Sequence, residues 1–563
     1  MENGILINKG GTLRFNTYYN ALSIKKWKKY TDVKSIALRF TYSGYVKFCL
    51  YGISLYQDKV RRTELFDAYY TAKEQTEQYV EIPFDYRGDI LYFTLEGLDD
   101  SSFFYGGEYV TQNTDTNNVH IALNICTFKR ERFIQRTVAS LQRDILDNPQ
   151  SPLHGNLDVY IVDNGQSLAQ DAFTHENIHL FPNKNCGGAG GFARGMLEIM
   201  KARDKITHMI IMDDDIILDP NVLERTFALL AHMKKQYSGH FIGGAMFDIS
   251  APAIQRRSFS YRNGSLHATV PKGNLNMANE HNIVFNEVED LAQYNGWWYC
   301  CVPMESVTTQ NLPLPVFIHC DDVEYGIRSK KKVISMNGIA IWHQELSNRY
   351  VSVQSAYYDI RNSLYLYMAH FDGIRAEQVA EYVVRQMRKA ILTYRYKDVR
   401  LCARAVTDAL AGVDFLKETD AVQLHQDLVK EGYKEKSIDE LSVPLNYKNY
   451  LSNFDYKEGR KKKWVRKLTQ NGLRLKANRS IVVPMGKPIE GCFYRAGSAL
   501  YYNEEKQTGF FVRRDLKESK ACEKVCAEVK KQILAHYPEA KKSFKAHMNE
   551  VTNADFWQRY LGL

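Results

Sequence analysis

What this chain of 563 residues lacks narrows the field before any motif does. No stretch reaches the ~18 uninterrupted apolar residues of a membrane span. The opening Met-Glu-Asn-Gly-Ile-Leu-Ile-Asn-Lys-Gly carries no charged-then-apolar signal pattern, so a cytoplasmic protein is expected. The 10 cysteines follow neither a metal-ligand spacing nor a secreted framework. Cys300 and Cys301 are adjacent, Cys522 and Cys526 fit one helix face, and all read as reduced core thiols. There is no Walker lysine loop, no Gly-x-Gly-x-x-Gly, and no catalytic cluster before residue 115. The length predicts roughly three domains. Hydrophobic residues at 45% and charged residues at 25% fit a soluble globular protein, and the 37 Tyr and 27 Phe suit sugar binding.

The most informative stretch is 206–219, where Asp213, Asp214 and Asp215 interrupt an otherwise buried hydrophobic strand. The short apolar run Met209 to Met212 suits a parallel strand covered on both faces. It delivers the three carboxylates to the strand's carboxyl end, where open α/β sheets bind ligands. Alternation sends Asp213 and Asp215 to one side and Asp214 to the other, so two can share an ion. Hard carboxylate oxygens select Mg²⁺ or Mn²⁺, which would hold nucleotide phosphates. The competing reading is an acidic turn ahead of a helix starting at Asp219-Pro220.

In chain order, residues 36–55 alternate apolar and polar across an expected turn at Ser43-Gly44, and further strands are expected at 78–83, 90–96 and 103–110. This predicts a small β-sandwich over residues 1–115. From residue 116 strands and helices alternate: strand His120–Ile125, helix near 132–143, strand Asp158–Val162, helix Gly190–Ala202, strand Met209–Met212. That is a doubly wound, Rossmann-like parallel sheet. Thr127, Arg130 and Asp163 follow its strands where a nucleotide base and ribose would sit, or they are plain strand caps.

The run Asn185 to Arg194, with Gly187, Gly188, Gly190 and Gly191 just before a helix, offers backbone N–H groups to an anion. A helix is expected at 221–236 and a Gly-rich strand at 241–246. Trp297 and Trp298 form either a stacking surface for a sugar ring or core packing. A second apolar strand from Pro315 is expected to deliver Asp321 and Asp322 to a helix start. There Asp322 is a candidate general base and Asp321 a candidate orienter of an acceptor hydroxyl, unless they cap the helix. Strand Ile339–His343 ends in a histidine able to complete a site with Asp213 and Asp215.

Met-Asp-Asp-Asp at 212–215, Asn-x-Gly-Gly-x-Gly-Gly-Phe-x-Arg at 185–194, Trp297-Trp298, Asp321-Asp322-x-Glu-Tyr-Gly and Trp342-His343 stand in this order. Together with Tyr357-Tyr358-x-x-Arg361-Asn362, this set resembles the bacterial galactofuranosyltransferases that polymerise galactan, within inverting glycosyltransferase family 2. The match spans about residues 120–362. The resemblance implies an N-terminal β-sandwich (1–115), a GT-A catalytic domain (116–362) and a mainly helical C-terminal domain (363–563). It implies that Asp213, Asp215 and His343 bind Mn²⁺ or Mg²⁺, and that Asp322 deprotonates the acceptor while Asp321 assists. Thr127, Arg130, Asp163, Asn185, Gly187, Gly188, Gly191, Arg194 and Asp214 would contact the nucleotide-sugar. Trp297, Trp298 and Trp342 would line the acceptor. The implied donor is UDP-galactofuranose and the acceptor a lipid-linked cell-surface glycan. Another UDP-sugar, or a metal-dependent sugar-nucleotide phosphotransferase, is the alternative. Cys320 stands where family members commonly have Trp, which leaves a different acceptor open.

Two apolar stripes, Val379 to Tyr394 and Val399 to Val413, predict C-terminal helices. Residues 457–479 then gather ten cations, including Lys461, Lys462, Lys463 and Arg474, around Trp464, Val465 and Leu468, against Glu458 alone. No nucleic-acid recognition fold accompanies them. An anionic membrane surface explains both charge and apolar residues, and a solvated basic loop is the plainer reading. The expected location is cytoplasmic and peripheral at the inner face of the membrane, with self-association left open.

Overall fold

The computed structural model describes residues 4–563 apart from 263, 265, 345–350, 442, 455, 474 and 487; Arg474 of the basic segment thus lies outside the described residues. The N-terminal strands form one continuous six-stranded antiparallel sheet. It is built on the long strand Ala37–Tyr56, which pairs with Lys59–Glu81 on one edge and with Ser102–Val110 and Ile90–Gly97 on the other. The turn expected at Ser43-Gly44 is absent, because the strand runs straight through it. Gly44 has φ +86° and the pairing slips register there, so the glycine serves a bulge. The chain reverses instead at Gln57 and Asp58, both at positive φ, as a two-residue hairpin requires. Alternate residues Leu38, Phe40, Phe48 and Leu50 are buried, and the rings of Phe40, Phe48 and Phe93 stack as the centre of this core.

The expected doubly wound sheet has seven strands. Their order is Val333–Ile334, Phe241–Gly243, Cys300–Pro303, His208–Asp213, Ile121–Thr127, Leu157–Asp163 and Ile178–Pro182. All pairings are parallel except those of Cys300–Pro303. Helices Glu131–Leu141, Gly187–Met200 and Pro220–Ala231 connect the strands, the last shorter than the 221–236 expected. The single strand expected at 241–246 is two, Phe241–Gly243 and Ala245–Asp248, lying in different sheets. At the break a Cβ on Gly244 would come within 2.7 Å of the Tyr299 ring. Ala245–Asp248 then pairs in parallel with Ala340–His343, aligning Asp248 with His343. The strand expected from Pro315 does not form. Phe317, His319 and Cys320 have φ of +72°, +64° and +73°, a left-handed zigzag that cannot join a ladder.

In the C-terminal part the long helix Leu516–His547 packs on Ala376–Leu392 and Tyr396–Leu410. A four-stranded sheet of Lys436–Ser437, Thr508–Arg513, Ala496–Asn503 and Arg479–Pro484 sits among the helices, and the apolar stripes gave no sign of it. One cluster of buried residues runs from Ala122 to Leu561, so one face of the parallel sheet shares its core with the C-terminal helices. Trp557 is fully buried in it, its indole N–H donating to the Pro313 carbonyl at 2.9 Å. The same ring lies 3.6 Å from where a Cβ on Gly190 would be, so the C-terminal end braces the glycine-rich segment. All ten cysteines are unbridged. Among the described residues, no helix is long and apolar enough to cross a membrane.

Candidate active site

Met209 to Met212 have no exposed surface, so strand His208–Asp213 meets solvent only at its ends, and the carboxylates stand at the carboxyl one. There one ligand atom each from Asp213, Asp215 and His343 lies within 4.8 Å of the others. His343 Nδ1 donates to the Gln344 carbonyl at 2.6 Å, which turns Nε2 toward Asp215 Oδ1, 3.0 Å away. Burial pushes the Asp213 carboxyl up to about 8; His343 opposes the shift, and the charges of Asp215, Asp214 and Asp321 add to it. Burial works against a charged His343, but its hydrogen bond to Asp215 and the charges of Asp215 and Asp213 outweigh it and raise the imidazole. Two hard carboxylates and one imidazole, crowded and short of positive charge, fit a divalent cation such as Mn²⁺ or Mg²⁺.

Asp214 points to the other side and is spent on positioning. It accepts from Thr127 Oγ1 at 2.7 Å and from Arg130 Nη1 at 2.8 Å. The same guanidinium nitrogen lies 2.9 Å from Asp215 Oδ2. Thr127 and Arg130 therefore meet the acidic triplet directly and leave Arg130 partly exposed over it.

Asp163 is taken up locally, its oxygens accepting from the backbone N–H groups of Gly165, Ser167 and Leu168 at 2.7 to 2.9 Å. Its 2% exposure is that of a strand cap. The glycine-rich helix starts at Gly187, three residues earlier than expected, and Asn185 Oδ1 accepts from the Gly187 N–H at 3.1 Å. Gly187 has φ +73°, and a Cβ there would sit 2.0 Å from the Phe317 carbonyl oxygen. A Cβ on Gly191 would lie 2.1 Å from Cys126 Sγ, whereas at Gly188 it would face Asp321 at 3.6 Å. These close approaches seat the helix start against the sheet end and beside the second carboxylate pair. Arg194 is turned elsewhere, its Nε 3.0 Å from Glu198 and its guanidinium over Phe181.

Asp321 and Asp322 open helix Asp321–Ser329, with Cys320 as the capping residue and no side-chain cap bond. Each carboxylate accepts one adjacent backbone N–H, Asp322 from Val323 at 2.7 Å and Asp321 from Asp322 at 3.1 Å. Burial, then the charge of Asp322, lifts Asp321 to about 7, and burial raises Asp322 as well. The charge of Asp321 is felt at Asp213, so the pair and the metal-type cluster share one electrostatic site. His319 lies beside the pair, its Nδ1 2.6 Å from Asp359 Oδ1. No sequence signal marks this group, because its placement depends on the left-handed zigzag. Asn164 was also missed. It ties the site together by donating to the Gly187 carbonyl at 2.9 Å, and its only signal was its place next to Asp163.

The three tryptophans do not form one platform. Trp297, expected to line the acceptor, is 5% exposed and packs edge-on against Phe192 and Tyr325 in the core. Trp298 donates its indole N–H to the Gly244 carbonyl at 2.8 Å. Trp342 donates to the Pro252 carbonyl at 3.1 Å and stacks on Tyr19 of the N-terminal sheet region.

Residues 123–286 match the model of Glycosyl transferase family 2. The protein is a glycosyltransferase. Its curated relatives include Galactofuranosyltransferase GlfT2 of Mycobacterium tuberculosis, 26% identical over 473 residues, which are 77% of this chain and 71% of that one. Galactofuranosyltransferase GlfT2 of Mycolicibacterium smegmatis is also 26% identical, over 432 residues, or 71% of this chain and 64% of its own. A mannosyltransferase of Pyrobaculum calidifontis, solved with GDP-Man and Mn²⁺, aligns with 56% of this glycosyltransferase and 80% of that chain. At 11% identity and a TM-score of 0.28 that likeness carries no argument here.

Proposed function

We propose that this glycosyltransferase moves galactofuranose from UDP-galactofuranose to a hydroxyl of a lipid-linked cell-surface glycan, inverting the anomeric carbon. The observation that carries the reading is the cluster of Asp213, Asp215 and His343 within electrostatic reach of the buried Asp321-Asp322 pair. The relatives' printed activity supports the choice of sugar. Asp213, Asp215 and His343 would hold Mn²⁺ or Mg²⁺, which when bound supplies positive charge to the diphosphate leaving group. Arg130, fixed by Asp214, adds a cation at the same place. At the start of helix Gly187–Met200 the Gly187 N–H is taken by Asn185 and the Ala189 N–H by the Phe317 carbonyl, so what this end offers the donor's charged part is the positive end of the helix dipole. Asp322, the less buried of its pair, takes the acceptor proton, burial holding its carboxyl above the ordinary carboxylate range, while Asp321 stands beside it to assist.

The glycosyltransferase would work at the inner face of the membrane, held by helix Arg460–Leu468. Lys461, Lys462 and Lys463 are exposed there, as are Trp464 and Leu468, both 70% exposed. Arg466 is not available to lipid, being turned inward onto Glu458 and Glu490.

A competition assay tests the donor: UDP-galactofuranose, UDP-galactopyranose and UDP-glucose are offered together with Mn²⁺ and defined acceptors, and sugar incorporation and UDP release are followed. Galactofuranose incorporation is expected. Preferred turnover of the pyranose form would remove the donor assignment, and release of a nucleoside monophosphate would point to phosphotransfer.

A further inference from the structure

Away from the acidic cluster, a cavity of 830 Å³ lies between the N-terminal sheet and helix Pro220–Ala231. Tyr19, Trp27 and Tyr109 line it from the N-terminal side, and Glu224, Arg225, Ala228 and His232 from the helix. It opens to solvent past Asn20, Gln150 and Asn221, which are exposed. Gly106 leaves room in its wall, since a Cβ there would meet nothing within 4 Å.

The chemistry of the wall selects among ligands. Arg225 is the lone lining cation and already donates to the Tyr19 carbonyl at 2.5 Å, while Glu108 and Glu224 supply two carboxylates. Burial disfavours protonation of His232. A wall with no surplus of positive charge does not suit a nucleotide or a phosphate. Aromatic rings interleaved with amide, hydroxyl and carboxylate groups suit a neutral polyhydroxylated chain, whose C–H faces pack on rings and whose hydroxyls need partners. Tyr19 Oη, Tyr109 Oη and His232 Nδ1 have no hydrogen-bond partner in the protein. These three atoms have almost no accessible surface, so the partners open to a ligand's hydroxyls are the side chains of Asn20, Asn221 and Glu224.

We propose that this cavity is a second glycan-binding site, which holds sugars of the acceptor chain lying beyond the reacting end. It is physically joined to the active site: Tyr19 also stacks on Trp342, and Met336 and Ile339 of the wall lead into strand Ala340–His343. A long acceptor would thus be held at two places, and its effective concentration at the transfer site would rise. The site is independent of which sugar the donor carries, although the choice of probe rests on the galactofuranose reading.

The test uses the full-length enzyme and two probes, a linear galactofuranosyl disaccharide and the corresponding hexasaccharide, with maltohexaose in parallel. Affinity is read by titration calorimetry and turnover by sugar incorporation. The hexasaccharide is expected to bind wild type at least tenfold more tightly than the disaccharide. Ala228→Trp, which fills the cavity, is expected to erase that advantage with disaccharide turnover unchanged. Asn20→Ala removes an exposed amide at the mouth of the cavity and is expected to weaken hexasaccharide binding about fivefold, the worth of one hydrogen bond. If Ala228→Trp fails to fold, Asn20→Ala decides alone. Hexasaccharide affinity untouched by either folded variant overturns the proposal. So does a wild type that turns over the disaccharide but shows no gain with length for any hexasaccharide. Should maltohexaose show the cavity-dependent gain while UDP-galactofuranose is not used, the cavity stands and the donor assignment falls.

Discussion

Trp342 stacks on Tyr19 with ring centroids 5.3 Å apart and planes 23° from parallel, so the N-terminal region props the residue next to His343. Trp342 also exchanges two backbone hydrogen bonds with Ile217, at 2.8 and 3.1 Å, just past the acidic triplet. One side chain thus links three segments that are distant in sequence. Tyr19→Ala is expected to cost about 2 kcal/mol, the scale of a part-buried aromatic pair, and to weaken Mn²⁺ binding several-fold. Tyr19→Phe should keep both, because the hydroxyl has no partner. Thermal unfolding and Mn²⁺ titration of the two variants check this.

Removing a ligand of the acidic cluster should leave the donor's diphosphate uncompensated. Asp215→Ala and His343→Ala are each expected to lower transfer at least ~100-fold and to lose Mn²⁺ affinity. Manganese binding followed by electron paramagnetic resonance, alongside turnover, tests the pair. Full wild-type turnover in excess chelator would contradict the metal site.

The carboxylate pair predicts the pH dependence. A base whose pKa is raised accepts protons from the acceptor only above that pKa, so the rate is fully developed at high pH and is lost as pH falls. Burial raises Asp322, and burial with its neighbour's charge lifts Asp321 to about 7, so kcat should decline as pH falls below neutrality, the pair titrating together. Asp322→Asn should keep UDP affinity, lose at least ~100-fold in kcat, and let Asp321 fall toward an ordinary carboxylate. A kcat unchanged by Asp322→Asn would return that residue to helix capping.

Helix Arg460–Leu468 should float with anionic vesicles at low salt and release at high salt, since each basic residue near such a surface contributes about 1 kcal/mol and is screened. Charge reversal of Lys461 to Lys463 is expected to abolish flotation, and Trp464→Ser to weaken it at both salt concentrations. Arg466→Gln should lower stability more than lipid binding, because its partners are Glu458 and Glu490.

The elements around this site were legible to the extent that each residue's role was local. The apolar run 209–212 reads as a covered strand because both its faces are buried, and the alternation of three aspartates follows from any extended backbone. The bulge at Gly44 was read as a turn because a glycine in a strand serves either purpose, and which one holds depends on Ser102, whose Cα would be 2.5 Å from an added Cβ. The zigzag at Phe317 to Cys320 was read as a strand because its composition is apolar. Its left-handed residues are imposed by neighbours such as Gly187, whose missing side chain admits the Phe317 carbonyl. Trp297 stayed open between sugar platform and core packing because stacking on a ligand and packing on Phe192 leave the same mark in a sequence.

The placement of Trp557 has a temporal side. On the ribosome, residues 120–343, with the acidic triplet and the second carboxylate pair, emerge well before Trp557 is added. Yet the segment around Gly190 has that indole for a neighbour, and the Pro313 carbonyl has its N–H for a donor. A nascent chain therefore carries every acidic residue of the transfer site while its glycine-rich helix start is still unbraced. The brace on that helix start is thus supplied long after the start itself has been made.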